Sequence, residues 1–300
     1  MMESSFKRSN TYAAVLILLG AILFSSKAIV VKLAYREPID SLSLLALRML
    51  FSLPLFAILG LYFTKPTTTT LTVKDWTKVA ATGISGFYAA SYLDFLGLQY
   101  ISASLERLVL YVYPSLVLLI SAVFLKKKIT RIQYLSLFIT YIGIAIVFSG
   151  KMSTAGNSNP LLGGILVFFA ALTYAMYLVG SGELLPKFGT RRFTAYSMIA
   201  AGIMVLLHYA VSGEHSLFGF SNRMYGLVLF MAVFATFIPT LLISEGIHII
   251  GSNNASIISA IGPISTILLA YFILGEQLYW HQWLGAIVVI VGVLLITLNK

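Results

Sequence analysis

Six ionisable residues stand inside long apolar stretches of this sequence. In chain order they are Lys27, Arg48, Asp94, Glu106, Arg107 and Glu245. A charge in hydrocarbon is costly unless it meets a partner or water, so such residues mark ion pairs, proton relays or polar cavities. The chemistry they indicate is binding or gating of a polar solute, with a carboxylate able to take up a proton.

Five of the six fall at one depth, and we call Lys27, Arg48, Asp94, Glu106 and Arg107 the charged cluster. Counting residues to the nearest end of each apolar stretch puts them roughly 6–11 Å below one surface, at 1.5 Å per helical residue. Two interpretations stay open. The cluster either binds or gates a substrate, or it is a structural ion-pair network, with Lys27 and Arg48 extending toward the surface.

The remaining carboxylate, Glu245, lies alone near the opposite surface. With no cationic partner in the sequence pattern, it is either a proton-coupling group or a hydrogen-bonded core residue.

Glu106 and Arg107 are chain neighbours, about 100° apart on a helix, so both can hardly face one cavity centre. We expect Glu106 to face the cavity and Arg107 to face a carboxylate such as Asp94.

Tyrosines and prolines also stand within the apolar stretches. Tyr113, Tyr174 and Tyr177 are expected to line a cavity, because buried tyrosine hydroxyls need partners. Pro114 and Pro263 each remove a backbone hydrogen bond and are expected to kink their helices. The kinks fit either paired gates or packing bends.

The composition decides which elements carry these residues. Apolar residues make up 59% of the chain and charged ones only 10%, against roughly 25% in soluble domains. The apolar stretches are long enough to cross a bilayer as helices and show no strand-like alternation. We predict an all-α polytopic membrane protein with ten transmembrane helices, at 12–34, 41–63, 77–98, 102–125, 131–149, 160–182, 193–211, 225–247, 252–274 and 280–298.

The basic residues lie mainly in connectors on one side of the predicted bundle. If residues 1–10 form a cytoplasmic tail, thirteen Lys and Arg residues lie on that side and four on the other. This bias predicts that both termini are cytoplasmic in a multi-pass protein of the inner or plasma membrane. It also explains the net charge of +10 without nucleic acid as a partner.

The sequence repeats itself at an offset of 149 residues. The segment 97–148 aligns without a gap on 246–297, so that Gly97 matches Gly246, Pro114 matches Pro263 and Gly143 matches Gly292. Each half has five predicted spans, an odd number, so the second half must cross the membrane in inverted orientation. Inverted repeats are typical of secondary transporters.

The motifs in both halves resemble the EamA domain of the drug/metabolite transporter superfamily. They are Gly97-Leu98-Gln99-Tyr100 with Tyr113-Pro114 in the first half, and Pro263 with Leu274-Gly275-Glu276 in the second. The resemblance implies two five-helix repeats, 11–149 and 160–298. It also implies a cavity that six of the spans line. The family's glutamate lies at a helix end, so no transport role is expected for Glu276.

Several activities find no support in the motifs. The chain has no cysteine, no nucleotide-binding motif and no metal-ligand spacing among its four histidines, so we expect no enzyme, cofactor or metal site. We predict an exporter or permease of small metabolites such as amino acids, which works by alternating access. Its transport is either facilitative or coupled to protons. The protein is expected to act as a monomer or homodimer. A channel, or a membrane enzyme or structural protein on the same scaffold, is the alternative.

Overall fold

The computed structural model describes residues 2–62, 71–126, 129–149, 159–212, 216–259 and 261–298. Within these ranges the chain is helical and contains no strand. The α-helices are α1 Met2–Ala34, α2 Ser41–Tyr62, α3 Val73–Gly83, α4 Ala90–Tyr100, α5 Ala103–Leu110, α6 Tyr113–Phe124, α7 Arg131–Phe148, α8 Pro160–Phe188, α9 Thr190–Ser212, α10 Asn222–Ala232, α11 Ile238–Ser259, α12 Ile261–Leu269 and α13 Trp280–Leu298.

Seven helical segments of the described chain are long and apolar enough to cross a membrane, which makes this a multi-pass membrane protein. They are Thr11–Ala34, Ser41–Tyr62, Ala103–Phe124, Arg131–Phe148, Pro160–Phe188, Thr190–Ser212 and Asn222–Gly246. Gly262–Leu274 and Trp280–Gly292 are shorter apolar helices. The predicted span 77–98 is helical from Val73 to Tyr100 but is not among the seven, so ten spans remain a prediction.

Polar residues begin the helices where the chain enters the bundle. Thr72 accepts a hydrogen bond from the Asp75 backbone, and the Asp75 side chain accepts one from the Thr72 backbone, which forms a capping box. Lys187 at the end of α8 donates to Asp75 over 2.6 Å. The Lys187 ammonium and the Thr72 hydroxyl hold the pKa of the Asp75 carboxyl well below its usual range. The α3–α8 ion pair therefore stays charged at physiological pH.

Three π-helical stretches interrupt the α-helical pattern in the described chain, at Ile84–Ala89, Val233–Phe237 and Ala270–Leu274. The first two begin 149 residues apart, the same offset as the sequence repeat. Stretches of this kind are frequent at functional sites, because they shift the register of the side chains that follow. Equivalent positions of the two halves thus share the same irregularity.

The last helices of the two halves, α7 and α13, pack closely through glycines. A Cβ added at Gly143 would lie 2.7 Å from the Val289 nitrogen, and one at Gly292 would lie 2.8 Å from the Thr140 nitrogen. Only glycine allows backbones to approach this closely. Two glycines that the sequence repeat aligns therefore let α7 and α13 pack closely.

One predicted boundary between spans is absent. The predicted spans 225–247 and 252–274 are separate, but α11 runs as continuous helix through the boundary, the sequence Gly251-Ser252-Asn253-Asn254 included. Gly, Ser and Asn each cost only about 1 kcal/mol or less in a helix relative to alanine, so their presence does not force a break. In the first half the chain does break, at Ile101–Ser102 between α4 and α5.

Candidate functional site

The bundle encloses a cavity of about 670 Å³ between the two halves of the chain. Its walls come from α1, α2, α4, α5, α6, α8, α9, α11 and α12. At one end lie Lys27, Asp94 and Arg107, and at the other the cavity reaches the turn between α8 and α9 at Gly189. Gly189 is exposed, so this end of the cavity opens at the end of the bundle.

An ion pair stands at the closed end of the cavity. The Lys27 Nζ donates to Asp94 Oδ2 over 2.6 Å. The Lys27 side chain is 11% exposed and the Asp94 side chain 2%. The second oxygen of Asp94 has no hydrogen-bond partner in the described chain. A buried pair of this kind stabilises little by itself, but the loss of either partner leaves an uncompensated charge.

Arg48 brings a second cation to the same place from α2. Its Nη2 donates to the Ser91 hydroxyl over 3.0 Å, and its guanidinium lies 5.1 Å from the centre of the Phe95 ring. The side chain lines the cavity although the residue is only 3% exposed. Arg48 is thus held in place by one turn of α4, next to Asp94.

Glu106 and Arg107 are arranged opposite to the sequence expectation. Arg107 lines the cavity and is partly exposed, whereas Glu106 is fully buried and is not part of the wall. Glu106 lies near Asp94, within electrostatic range of its carboxyl group. No donor in the described chain bonds to either Glu106 oxygen. Since carboxylates only accept, the two acids can pair only when one carries a proton.

A layer of polar contacts lies beyond the charged cluster, on the side away from the open end. Lys32 donates to the Leu98 carbonyl over 2.8 Å, and the Tyr35 hydroxyl donates to the Phe95 carbonyl over 2.7 Å. Residues Ile101 and Leu105 in this layer are fully buried. The cavity is therefore closed at this end.

Glu276 completes that layer from the second half of the chain. Its carboxylate accepts hydrogen bonds from the backbone of Ala103 at 2.8 Å and of Ser104 at 3.0 Å. A carboxylate at a helix N-terminus is favoured by the helix dipole. Gly275, whose φ of 72° is in the left-handed region, ends the preceding helical stretch, and Glu276 comes directly after this turn. Glu276 thus fixes α5, the helix that carries Glu106 and Arg107. The sequence signal was the Leu-Gly-Glu motif, whose structural partner the sequence does not reveal.

Aromatic rings line the cavity between its two ends, and we call them the aromatic row. Successive ring centres are 6.0, 5.2, 5.7 and 6.1 Å apart, along the series Tyr111, Tyr113, Tyr174, Tyr177 and Phe193. All five line the cavity. Two other tyrosines of the bundle are not part of the wall, since Tyr88 and Tyr92 pack on His208 of α9.

Both prolines line the cavity. α5 ends at Leu110 and α6 begins at Tyr113, so the helix is interrupted directly before Pro114. Pro114 therefore stands in the first turn of α6, where its missing N–H would be unpaired in any case. Pro263 lies in α12, close to residue 260, which is outside the described chain.

Glu245 stays apart from this site. It is partly exposed on α11 and does not belong to the cavity wall, although its neighbour Ser244 does. The structure therefore brings together Lys27, Asp94, Arg107 and the three predicted tyrosines around one cavity, with Glu106 directly behind it.

A glycine on the cavity wall offers a test of the aromatic row. A Cβ at Gly86 would overlap both Cγ and Cβ of Tyr177. Because the contact includes Tyr177 Cβ, ring rotation cannot relieve it. We expect Gly86→Ala to displace Tyr177, to cost about 1–3 kcal/mol of stability and to lower transport. Thermal unfolding in detergent and solute flux measure the two effects.

The matched control is Gly182→Ala on the same cavity wall, where an added Cβ meets no atom within 4 Å. It should leave both readouts at the level of the unmodified chain. Equal behaviour of the two variants would contradict a role of Tyr177 packing.

Comparison with known proteins gives consistent results. The model of the EamA-like transporter family matches residues 11–149 and 161–298. The uncharacterised transporter YcbK of Bacillus subtilis is 32% identical over 288 residues, which are 94% of this chain and 92% of YcbK. The uncharacterised transporter YyaM of the same organism is 28% identical over 71% of this chain and 70% of its own.

A solved crystal structure shares the architecture. It superposes with a TM-score of 0.66 over 96% of this chain and 97% of its own, at 16% sequence identity. At that level of identity the likeness bears on the fold alone.

Proposed function

Because the chain belongs to the EamA-like transporter family, we propose that this membrane transporter moves small carboxylate-bearing metabolites by alternating access. The single observation that carries the proposal is the cavity, which joins a buried charged cluster at a closed end to an open end of the bundle. Such a cavity resembles the ligand sites of small-molecule binders in size, typically about 300–1,000 Å³. Amino acids are the first class to test.

The proposed topology has ten spans, five in each half, in opposite orientations and with both termini in the cytoplasm. The equal offset of the sequence repeat and of the first two π-helical stretches supports the repeat. Lys187, Arg191 and Arg192 stand at the end of the bundle where the cavity opens. By the positive-inside rule that end is cytoplasmic, so the cavity is open inward.

Alternating access then requires the layer around Lys32, Tyr35 and Glu276 to open while the cytoplasmic end closes. Each of these contacts joins separate helices, and the Glu276 contact joins the two halves. The interruption before Pro114 supplies a bend between α5 and α6, where such a motion can be taken up.

Protons are the proposed coupling ion, and Glu106 is the proposed carrier. The charged groups in electrostatic range of Glu106 are Asp94, Lys27 and Arg107. Lys27 is paired with Asp94, so its single positive charge compensates only one carboxylate. A proton shared between Asp94 and Glu106 leaves the two acids with one negative charge rather than two. Release of that proton when the cavity changes side would couple solute to proton movement.

The test is flux into proteoliposomes that contain the purified chain. A panel of labelled amino acids, other organic acids, amines and sugars is offered to vesicles with and without protein. We expect at least one carboxylate-bearing solute to enter faster than into empty vesicles. Flux equal to that of empty vesicles for the whole panel overturns the proposed function.

A further inference from the structure

The wall of the cavity carries more positive than negative charge. Its acidic and basic residues are Lys27, Arg48, Asp94 and Arg107, three cations and one carboxylate. The charges of Lys27 and Asp94 cancel in their ion pair, and Glu106 is not part of the wall. Two guanidinium groups therefore remain without a carboxylate on the cavity surface.

The two arginines differ in how much of them a solute can reach. Arg48 is 3% exposed and already engaged by Ser91 and the Phe95 ring. Arg107 is partly exposed, and no ion pair in the described chain includes it. Gly262 leaves room for its guanidinium, since a Cβ there would lie 3.0 Å from Arg107 Nη2. Arg107 is thus the cation that can contact a bound solute.

The aromatic row begins beside Arg107. The hydroxyls of Tyr111, Tyr113 and Tyr174 lie within electrostatic range of its guanidinium. A guanidinium and neutral phenols are all hydrogen-bond donors, and together they fit a carboxylate. The rest of the aromatic row, Tyr177 and Phe193, continues toward the open end and offers an apolar surface.

We infer that the site prefers amphipathic organic monocarboxylates over amino acids, amines and neutral analogues. The carboxylate binds Arg107 and the nearby phenols, and an aromatic or aliphatic body lies along the aromatic row. An ammonium group finds no available carboxylate, because one oxygen of Asp94 is held by Lys27, its other oxygen is buried, and Glu106 is enclosed behind the wall. This inference rests on the proposed function, since it assigns the substrate class of the same cavity.

The test is calorimetric binding to the full chain in detergent, which does not depend on transport or on vesicle leakage. Four probes with the same phenyl body are compared: 3-phenylpropionate, its neutral amide 3-phenylpropanamide, phenylalanine and phenethylamine. We expect the carboxylate to bind about tenfold or more tightly than each of the others, the scale of one charge-assisted hydrogen bond.

Variants locate the preference within the cavity. Arg107→Gln should bring 3-phenylpropionate to the affinity of its amide, while Arg107→Lys keeps part of the difference. The control is Arg223→Gln, which removes the same charge from an exposed position at the start of α10 and should leave the preference unchanged. A monodisperse peak on size exclusion shows that each variant is folded.

Two results overturn the inference. One is that the amide, the amine or phenylalanine binds the unmodified chain as tightly as 3-phenylpropionate. The other is that the unmodified chain does not bind 3-phenylpropionate at all. Either result leaves the proposed function standing when the vesicle panel shows protein-dependent flux of another carboxylate-bearing solute. The vesicle flux alone decides the proposed function.

Discussion

Replacing Asp94 by asparagine is expected to stop transport and to destabilise the protein. Lys27 then loses its 2.6 Å partner at a site where its side chain is only 11% exposed. Removal of one member of a buried ion pair costs about 3–5 kcal/mol, and the wet cavity next to Lys27 places this case at the lower end. Flux should fall by a factor of about ten or more, because the charged cluster loses its central carboxylate.

The measurement combines thermal unfolding in detergent with solute flux in vesicles. The double variant Lys27→Met with Asp94→Leu removes both charges, so it should recover stability without recovering transport. Glu183→Gln, which neutralises an exposed carboxylate on α8, should leave both unchanged. If the double variant transports like the unmodified chain, the pair is a structural connection between α1 and α4, as the alternative interpretation of the sequence holds.

Replacing Glu106 by glutamine is expected to separate solute movement from proton movement. Glutamine has the shape of a protonated glutamate and its amide can donate to a nearby carboxylate, so the fully buried site should stay folded. Exchange of solute across the membrane should continue. Its acceleration by an imposed pH gradient should disappear, because the group that loads and releases the proton is gone.

The measurement is initial flux with and without a pH gradient of fixed size, compared with exchange at equal pH on both sides. Glu245→Gln is the matched control, since Glu245 lies outside the cavity wall and should keep the gradient response. If Glu106→Gln keeps the gradient response and Glu245→Gln loses it, the coupling belongs to Glu245. If both variants keep the response, neither carboxylate couples solute movement to protons.

Much of this architecture follows from the sequence because the bilayer imposes strict rules. Apolar length predicts helices, since backbone groups in lipid must pair within the segment. Depth along each helix follows from the fixed rise per residue, and it correctly indicated that Lys27 and Asp94 would share a level, where they pair. The offset of 149 residues also anticipates the position of the second π-helical stretch from the first.

The orientation of side chains around each helix was harder to predict. Glu106 and Arg107 differ by about 100° in direction, but the sequence does not say which direction faces the cavity. That depends on how α5 is held, and the Glu276 carboxylate that holds it comes from the other half of the chain. The direction of Tyr88, toward His208 rather than the cavity, does not follow from the sequence for the same reason.

Solute counterflow tests the central claim of alternating access most directly. Vesicles containing the protein are loaded with excess unlabelled solute, chosen as the panel member with the highest flux, and then diluted into a trace of the labelled form. An alternating-access transporter returns a loaded site faster than an empty one, so the label should accumulate transiently above its equilibrium level. A label that only approaches equilibrium, at a rate independent of the internal solute, would indicate a channel and contradict the account.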